Sequence, residues 1–390
     1  MTIRSAIVLA AGEGVRLRPL TRHRPKPMLP AGTKPILEHV FDHLIDAGIS
    51  ELTVVVGYGR TTVQSHFGPS YRGVPIAYVT QEKQLGSAHA LAAAASRIEE
   101  TVLVVNGDQL VDRSIIADTI DRHESSGGAT LGVIADAAVA DYGGVITDTD
   151  GSVTEIVENP TDDRSYWLNA GVYALDPRAI EIMTGIDSTA GEYSLVDGLS
   201  ALIETETTVA AVTTDGMWID ATFPWDLLTV AETLLETGAV ACERAPSARI
   251  HDAATVVDPV VVAPDCVIGP GAVVGPNVCL GENVTVGANA TVEHSVIDSD
   301  TRIGTAATVI DCVAGRGVAV GPGSTVVGGP GDVHVGETIH RNEELGALIA
   351  DRATDRGGVT YRPGTIVGSE VSIRAGATVG GSIDAETEVQ

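Results

Sequence analysis

The sequence predicts an α/β domain built on a largely parallel sheet, followed by a parallel β-helix. Two observations carry this reading. Short apolar runs alternate with helix-spaced segments up to about residue 235, and after about residue 250 apolar residues return every six positions. The length of 390 residues agrees with it, because a single hydrophobic core usually stops growing below that size. The division is expected as 1–238 and 239–390, with a loop interrupting the second part at about 328–358.

In the first part "AIVLAAG", "ELTVVVGY", "IAYVTQ", "TVLVVNGD" and "ATLGVIAD" read as buried strands, several rich in β-branched residues and closed by glycine. Ile36 to Ala47 and Gly86 to Glu99 have helical spacing. Strands alternating with helices pair in parallel, and ligands of such sheets bind beyond the carboxyl ends of the strands. Both "LAAGEG" and "VVNGDQ" stand at such ends.

In the second part Val256, Val262, Ile268, Val274, Leu280, Val286 and Val292 form an unbroken six-residue ladder. Four positions beyond each comes a second small or β-branched set: Val260, Cys266, Ala272, Val278, Val284, Ala290 and Val296. Neither a helix nor a plain strand has this period, whereas each side of a β-helical coil takes one hexad. The ladder slips by one residue before Ile303, breaks at the loop, and returns at Val367, Ile373 and Val379. Cys266 falls on an inward position and is expected in the core.

Composition excludes several classes. No apolar run approaches the ~20 residues of a membrane span, and the N-terminus lacks the form of a signal peptide, so a cytoplasmic protein with no membrane partner is expected. Four cysteines without CxxC spacing indicate neither a zinc site nor a disulfide framework. Fifty-two acids against 24 Lys and Arg give a net charge of -28, which makes non-specific nucleic-acid binding unfavourable. The acids are dispersed through ordered sequence and only three basic residues are lysines. That pattern suits a halophilic protein, whose self-repulsion is screened by concentrated salt.

Against this background "LAAGEGVRLRPLTRHRPKPMLP", residues 9–30, stands out. From Arg16 to Lys34 there are six Arg or Lys residues and no acid. The stretch follows a strand and a short glycine turn. It lacks the third glycine of a dinucleotide fingerprint and the lysine motif of a P-loop. Glycine lets backbone N–H groups approach phosphate oxygens closely, and Arg16 and Lys26 supply charge to neutralise a polyphosphate.

These residues resemble the opening motif of the sugar-1-phosphate nucleotidylyltransferases, approximately LAAGxGTRLxPLTxxxPKPMLPxxxKPILEH, and residues 9–39 follow it almost without a gap. The resemblance covers the first domain. It implies a Rossmann-like nucleotidyltransferase fold, and a following left-handed β-helix of hexapeptide repeats is a known architecture of that family. Val15 stands where threonine is usual. By this resemblance Leu9, Ala10, Ala11, Gly12 and Gly14 meet the nucleotide, and "QEKQLGSAHAL" brings Gln81, Gly86 and Ser87 to the base. Glutamine offers a donor and an acceptor to the imide edge of uracil or thymine. "NGD" and "WIDATFPWDLL" place Asp108 and Asp220 as ligands of Mg²⁺, with Thr222 and Phe223 where the family has its glycine region. On the sugar side "DYGGVI", "IVENP" and "LNAGVY" contribute Tyr142, Gly143, Glu158, Asn169 and Gly171. Asn159 replaces the usual lysine, and Arg164 is a candidate substitute cation.

The resemblance implies in-line attack of a sugar 1-phosphate on the α-phosphorus of a nucleoside triphosphate. Asp108 and Asp220 would hold the metal, Arg16 would steady the leaving pyrophosphate, and Lys26 the α-phosphate. UTP or dTTP with glucose 1-phosphate is the first expectation. The alternatives are a bifunctional N-acetylglucosamine-1-phosphate uridylyltransferase and acetyltransferase, a mannose-1-phosphate guanylyltransferase, and a non-catalytic assembly subunit. Residues 250–390 contain no lysine, and neither His251, His294, His334 nor His340 sits in an acetyltransferase motif. His294 is expected on the surface of a coil. A homo-oligomer packed through the β-helix is expected.

Overall fold

The computed structural model describes residues 3–135, 139–140, 142–186, 191–205 and 207–390. The last residue of "ATLGVIAD" and the aspartate before Tyr142 lie outside them. The chain forms two compact units. One takes the chain through Glu13, then Pro25–Met28 and Ile36–Asp220; the other takes Gly14–Arg24, Leu29–Pro35 and Ala221–Gln390. The cationic loop is thus divided between them, and Lys26 belongs to the first unit and Arg16 to the second.

The first unit is a twisted sheet covered by helices on both faces. Four strands at its centre, β1 (Ser5–Ala10), β2 (Glu51–Val56), β3 (Val74–Thr80) and β4 (Val102–Asn106), run parallel in the order β4-β1-β2-β3. All four overlap runs read as strands. Alternate residues face opposite sides, as pleating requires. Val8, Val54 and Val105 meet Phe41 and Leu44 of helix α1 (Ile36–Asp46), while Ile7, Val55 and Val104 join the core with Leu91 of α2 (Ser87–Ala94).

Beyond β4 the sheet becomes mixed. The strand pair β5 (Gly143–Thr147) and β6 (Val153–Glu158) is antiparallel, and the long β7 (Trp167–Leu175) runs antiparallel to β4. The sequence reading identified the parallel half, whose strands are continuous apolar runs, and, in the mixed half, Ala129–Ile134, which pairs antiparallel with β7; it left these three strands unread.

The second unit is a stack of coils. Three sheets of eight, seven and seven parallel strands each gain one strand per turn. Early coils advance eighteen residues, as from Val260 to its neighbour Val278. Nearly all of both predicted ladders, Cys266 among them, line one continuous core. At the corners stand residues with left-handed backbone: Asp265, Gly271, Asn277, Asn283 and Asn289 at six-residue steps. Glycine and asparagine are the residues that visit this region most readily. The next such corner, His294, comes after five residues, so Val278 pairs with Ser295, seventeen residues on. The slip therefore begins before His294, earlier than the ladder alone suggests. Ser295 therefore takes the place beside Val278 expected of Val296, and Ile297 joins the core beside Leu280.

The interruption is also shorter than 328–358. It is an antiparallel hairpin, Gly331–Val335 with Thr338–Glu343, and the coil resumes at Ala347–Ile349, directly beside Cys312–Ala314. "ALIADRATD" reads as loop because the hairpin displaces its register by nearly one coil.

Candidate active site

In the first unit the carboxyl ends of the parallel strands are tied to one another. Gly107 N donates to Leu9 O at 2.9 Å, Tyr58 N to Ala11 O at 3.2 Å, and Gln81 N to Val56 O at 2.8 Å. Leu9, Ala10 and Ala11 are buried, and Gly12 is exposed at the strand's mouth, where an added Cβ would meet no atom within 4 Å. Gly14 adopts left-handed backbone and belongs to the second unit.

Asp108 follows β4 and opens a two-stranded ribbon, Gln109–Val111 against Trp218–Asp220, in which Asp220 lies opposite Gln109. This register brings together two acids that stand 112 positions apart in the chain. Between them lies Lys26, carried by the short helical turn Lys26–Met28. Its ammonium is 2.5 Å from Asp220 Oδ1 and 3.2 Å from Asp108 Oδ2. Burial opposes the charge on Lys26, but the carboxylates of Asp108 and Asp220 outweigh it and raise the lysine pKa above its ordinary value. A buried cation is thus kept charged at any working pH.

The same pair suits a magnesium ion. Mg²⁺ prefers hard oxygen donors, keeps several waters, and is usually bound by one or two carboxylates plus substrate phosphates. Asp108 retains 38% of its side-chain surface, while Asp220 retains 5%. One of the two carboxylates is therefore open to solvent. Among the described residues no group of three or more His, Cys, Asp or Glu gathers into an all-protein cage.

On the base side Gln81 is buried, and its Nε2 donates to Gly86 O at 3.0 Å and lies 2.9 Å from His89 Nδ1. The amide nitrogen is thus committed locally, whereas the sequence reading gave both ends of the amide to the base. Gly86 has φ +104, and a Cβ there would lie 2.4 Å from Tyr193 O, so the position requires glycine. Ser87 Oγ accepts from Leu195 N at 2.9 Å, anchoring the start of α2. His89 stands within the quoted motif without a role assigned to it, whereas Tyr193 carries no motif signal and only the tertiary contact brings it to this corner.

On the sugar side the β5–β6 register sets Gly143 opposite Glu158. Asn159 N donates to Tyr142 O at 2.9 Å, and the Tyr142 ring meets the Trp218 ring edge-on at 5.0 Å. Asn169 is buried, with Nδ2 donating to Tyr173 OH at 2.8 Å and Oδ1 accepting from Gly171 N at 3.2 Å. Gly171 has φ +70 in a bulge of β7, and a Cβ would strike Gln109 and Asn106 side chains. Partial burial, with Asp197 and Glu192 nearby, pushes the Glu158 carboxyl above the usual range. Asn159 adopts φ +47, a conformation asparagine tolerates better than lysine, which accounts for its identity. Arg164 is paired with Glu155 at 2.6 Å and with Asp162 at 2.9 Å.

In the second unit the cationic loop has a use the motif did not reveal. Arg24 is 3% exposed and pairs with Asp298 at 2.5 Å and Asp351 at 3.2 Å, both on β-helix coils. Arg22 reaches Glu386 at 2.8 Å. Arg16 is exposed, with its guanidinium carbon 5.7 Å from the centre of the Phe223 ring.

Strand ends bearing a glycine turn, with a buried lysine clasped by two acids, define a class of α/β enzyme that handles phosphate esters. Residues 5–237 match the Nucleotidyl transferase family and residues 256–383 the GMPPB C-terminal domain. The chain belongs to the nucleotidyl transferase family. It is 35% identical over 225 residues to a UTP–glucose-1-phosphate uridylyltransferase, AglF, of Haloferax volcanii, covering 57% of this chain and 92% of that one. It is also 35% identical over 226 residues to the bifunctional protein GlmU of Methanococcus maripaludis, a match covering 57% of this chain and only 52% of that relative. The solved structure of a UDP-glucose pyrophosphorylase with UDP-glucose shares the fold, with TM-score 0.55 and 21% identity over 60% of this chain and 99% of that one.

Proposed function

We propose that the protein transfers a uridylyl or thymidylyl group to a sugar 1-phosphate, with glucose 1-phosphate the first candidate, and releases pyrophosphate. The observation that carries the proposal is Lys26 held between Asp108 and Asp220 at the end of the ribbon. The likeness to a uridylyltransferase over nearly its whole length supports the choice of uracil. The likeness to GlmU, which spans about half of that relative, fits the bifunctional alternative.

In the proposed reaction a sugar phosphate oxygen attacks the α-phosphorus and the bond to the β-phosphate oxygen breaks. The attacking group is already ionised, so no general base is needed. The protein's work is to position two anions and to neutralise charge. Lys26 places a fixed positive charge at the α-phosphate, and Arg16 holds the departing pyrophosphate. Mg²⁺, bound by Asp108 and Asp220, would shield the phosphate oxygens and polarise phosphorus. Gln81, with its nitrogen held by Gly86, presents its oxygen to an imide N–H. Tyr142, Gly143, Glu158, Asn169 and Gly171 shape the sugar end, and for Asn169 the internal bonds make this a supporting role.

The test is pyrophosphate release in molar KCl with Mg²⁺, across four triphosphates crossed with several sugar 1-phosphates. UTP or dTTP with glucose 1-phosphate upholds the reading. A clear preference for GTP with mannose 1-phosphate overturns the role of Gln81, and no release with any pair overturns the function.

A further inference from the structure

The hairpin that interrupts the β-helix comes near the loop Gly14–Arg24 at two places, through Phe223 and across a shared cavity, all within the second unit. On its flank, the His340 ring lies 4.5 Å from Phe223 and 5.1 Å from Trp225. Phe223 and Trp225 stack at 4.8 Å with ring planes 6° apart. Arg16 lies over the Phe223 ring. At its tip, His334, Val335 and Gly336 line a cavity of about 440 Å³ together with Val15, Arg16 and Arg18.

The hairpin is itself fixed. Val333 is fully buried, and Gly329 N, at the hairpin's root, donates to Asp311 Oδ2 at 2.9 Å. The turn that carries Phe223 is fixed too, since Asp226 Oδ2 accepts from Thr222 N at 2.8 Å and Phe223 N at 2.7 Å. A rigid support therefore reaches an exposed arginine through two rings.

We propose that the hairpin Gly331–Glu343 braces the nucleotide loop, and that His340 is a positioning residue that sets Arg16 through Phe223. The proposal rests on the reading of Arg16 as a triphosphate ligand. Its chemical logic lies in the cation–π contact. A ring face steadies a guanidinium without using its N–H donors, so all five remain for phosphate oxygens. An acidic partner would hold Arg16 equally well, but would compete with the pyrophosphate for the same donors. Phe223 stands where the sequence departs from the family's glycine region, and the brace gives that departure a purpose.

The test pairs exchange with kinetics on the full chain. His340→Ala is expected to speed amide hydrogen exchange over residues 14–24. It is also expected to raise KM for UTP or dTTP by about tenfold, with KM for the sugar 1-phosphate unchanged. His340→Phe, which keeps a ring, should restore both. Phe223→Leu, which keeps apolar packing but removes the π face, should reproduce the KM effect if the alanine variant folds poorly. Unchanged exchange in His340→Ala overturns the brace. Faster exchange with no difference between the two KM values, or no rescue by phenylalanine, overturns the positioning role. If the unaltered protein releases no pyrophosphate, the proposed function fails on its own, and the exchange arm still decides the brace.

Discussion

Asp108 and Asp220 both touch Lys26, yet they differ in what their loss would cost. Asp220 is almost wholly buried beside a buried ammonium, whereas Asp108 is more than one-third exposed. Asp108→Asn is therefore the cleaner probe of chemistry, expected to lower turnover by about 100-fold or more with little change in melting temperature. Asp220→Asn should lower turnover as strongly and also cost ~3 kcal/mol of stability, because it removes one partner of a buried charge. Thermal melts beside pyrophosphate assays would separate the two, and near-normal turnover in either variant defeats the metal assignment. A second pair is pH-dependent. His294, expected on the surface, is half-buried and its Nδ1 lies 2.5 Å from Asp311 Oδ1, with Glu232 3.7 Å from its Nε2. The hydrogen bond to Asp311 raises the His294 pKa against burial, and Glu232 and Glu344 raise it further. Burial opposes ionisation of Asp311, but bonds from His294 and Gly329 outweigh it and hold that carboxyl low. The His294 contribution is complete below its unfolded pKa and fades as pH rises through the raised folded value. That of Asp311 is present above its unfolded pKa and fades as pH falls through the lowered one. His294→Gln should thus destabilise most near pH 5–6, by ~1.5–3 kcal/mol for a charge-assisted bond, and least at alkaline pH. A stability difference independent of pH would contradict this.

The corners and the loop anchor decide how the elements hold. Ala306 occupies a left-handed corner at φ +57, where neighbouring corners carry asparagine, aspartate or glycine. Ala306→Gly removes a strain of ~1–2 kcal/mol but adds chain entropy to the unfolded state. The net expectation is a gain of up to ~1 kcal/mol in denaturant unfolding, and a loss of stability would show that the corner is not strained. Arg24 is the stronger case. Its partners Asp298 and Asp351 are themselves 8% exposed, so Arg24→Met takes from buried Asp351 the cation it pairs with and leaves buried Asp298 with Arg316 alone, 3.6 Å away. A loss of ~3–5 kcal/mol is expected, with raised KM for the triphosphate, because the loop loses its tether to the coils. The charge of this stretch was plain in the sequence, but its division of labour was not. Arg24 bonds to residues 274 and 327 positions away, and no local pattern announces such a partner.

At the scale of the whole molecule the net charge of -28 is the dominant fact. Exposed like charges repel, and in molar salt the screening length falls to ~3 Å, which removes most of that repulsion. Dialysis into low salt should therefore lower the melting temperature steeply. Equal stability at low and molar KCl would refute the halophilic reading. The β-helix offers flat sheet faces with an outward apolar residue at Val273 and another, Val257, just past the end of a strand. We propose association through these faces, so light scattering in molar KCl should give a multiple of 40.2 kDa, and a 40.2 kDa species alone would exclude it.

Taken by itself, the sequence determined what depends on period and on short spacing. The buried parallel strands are continuous apolar runs, the sides of the coils repeat every six residues, and the glycine turn and acids stand beside strand ends. Each is a local pattern with one physical reading. The tertiary structure alone decided what depends on distant partners. It placed Lys26 between two acids by ribbon register, closed Asn169 and Arg164 onto their own neighbours, and set the coil slip at His294. It also gave Arg22 and Arg24 of the cationic loop acidic partners on the coils. A charge or an amide can be read from its letter, but its partner is chosen by the fold, because a buried polar group must be satisfied by whatever the packing brings within reach.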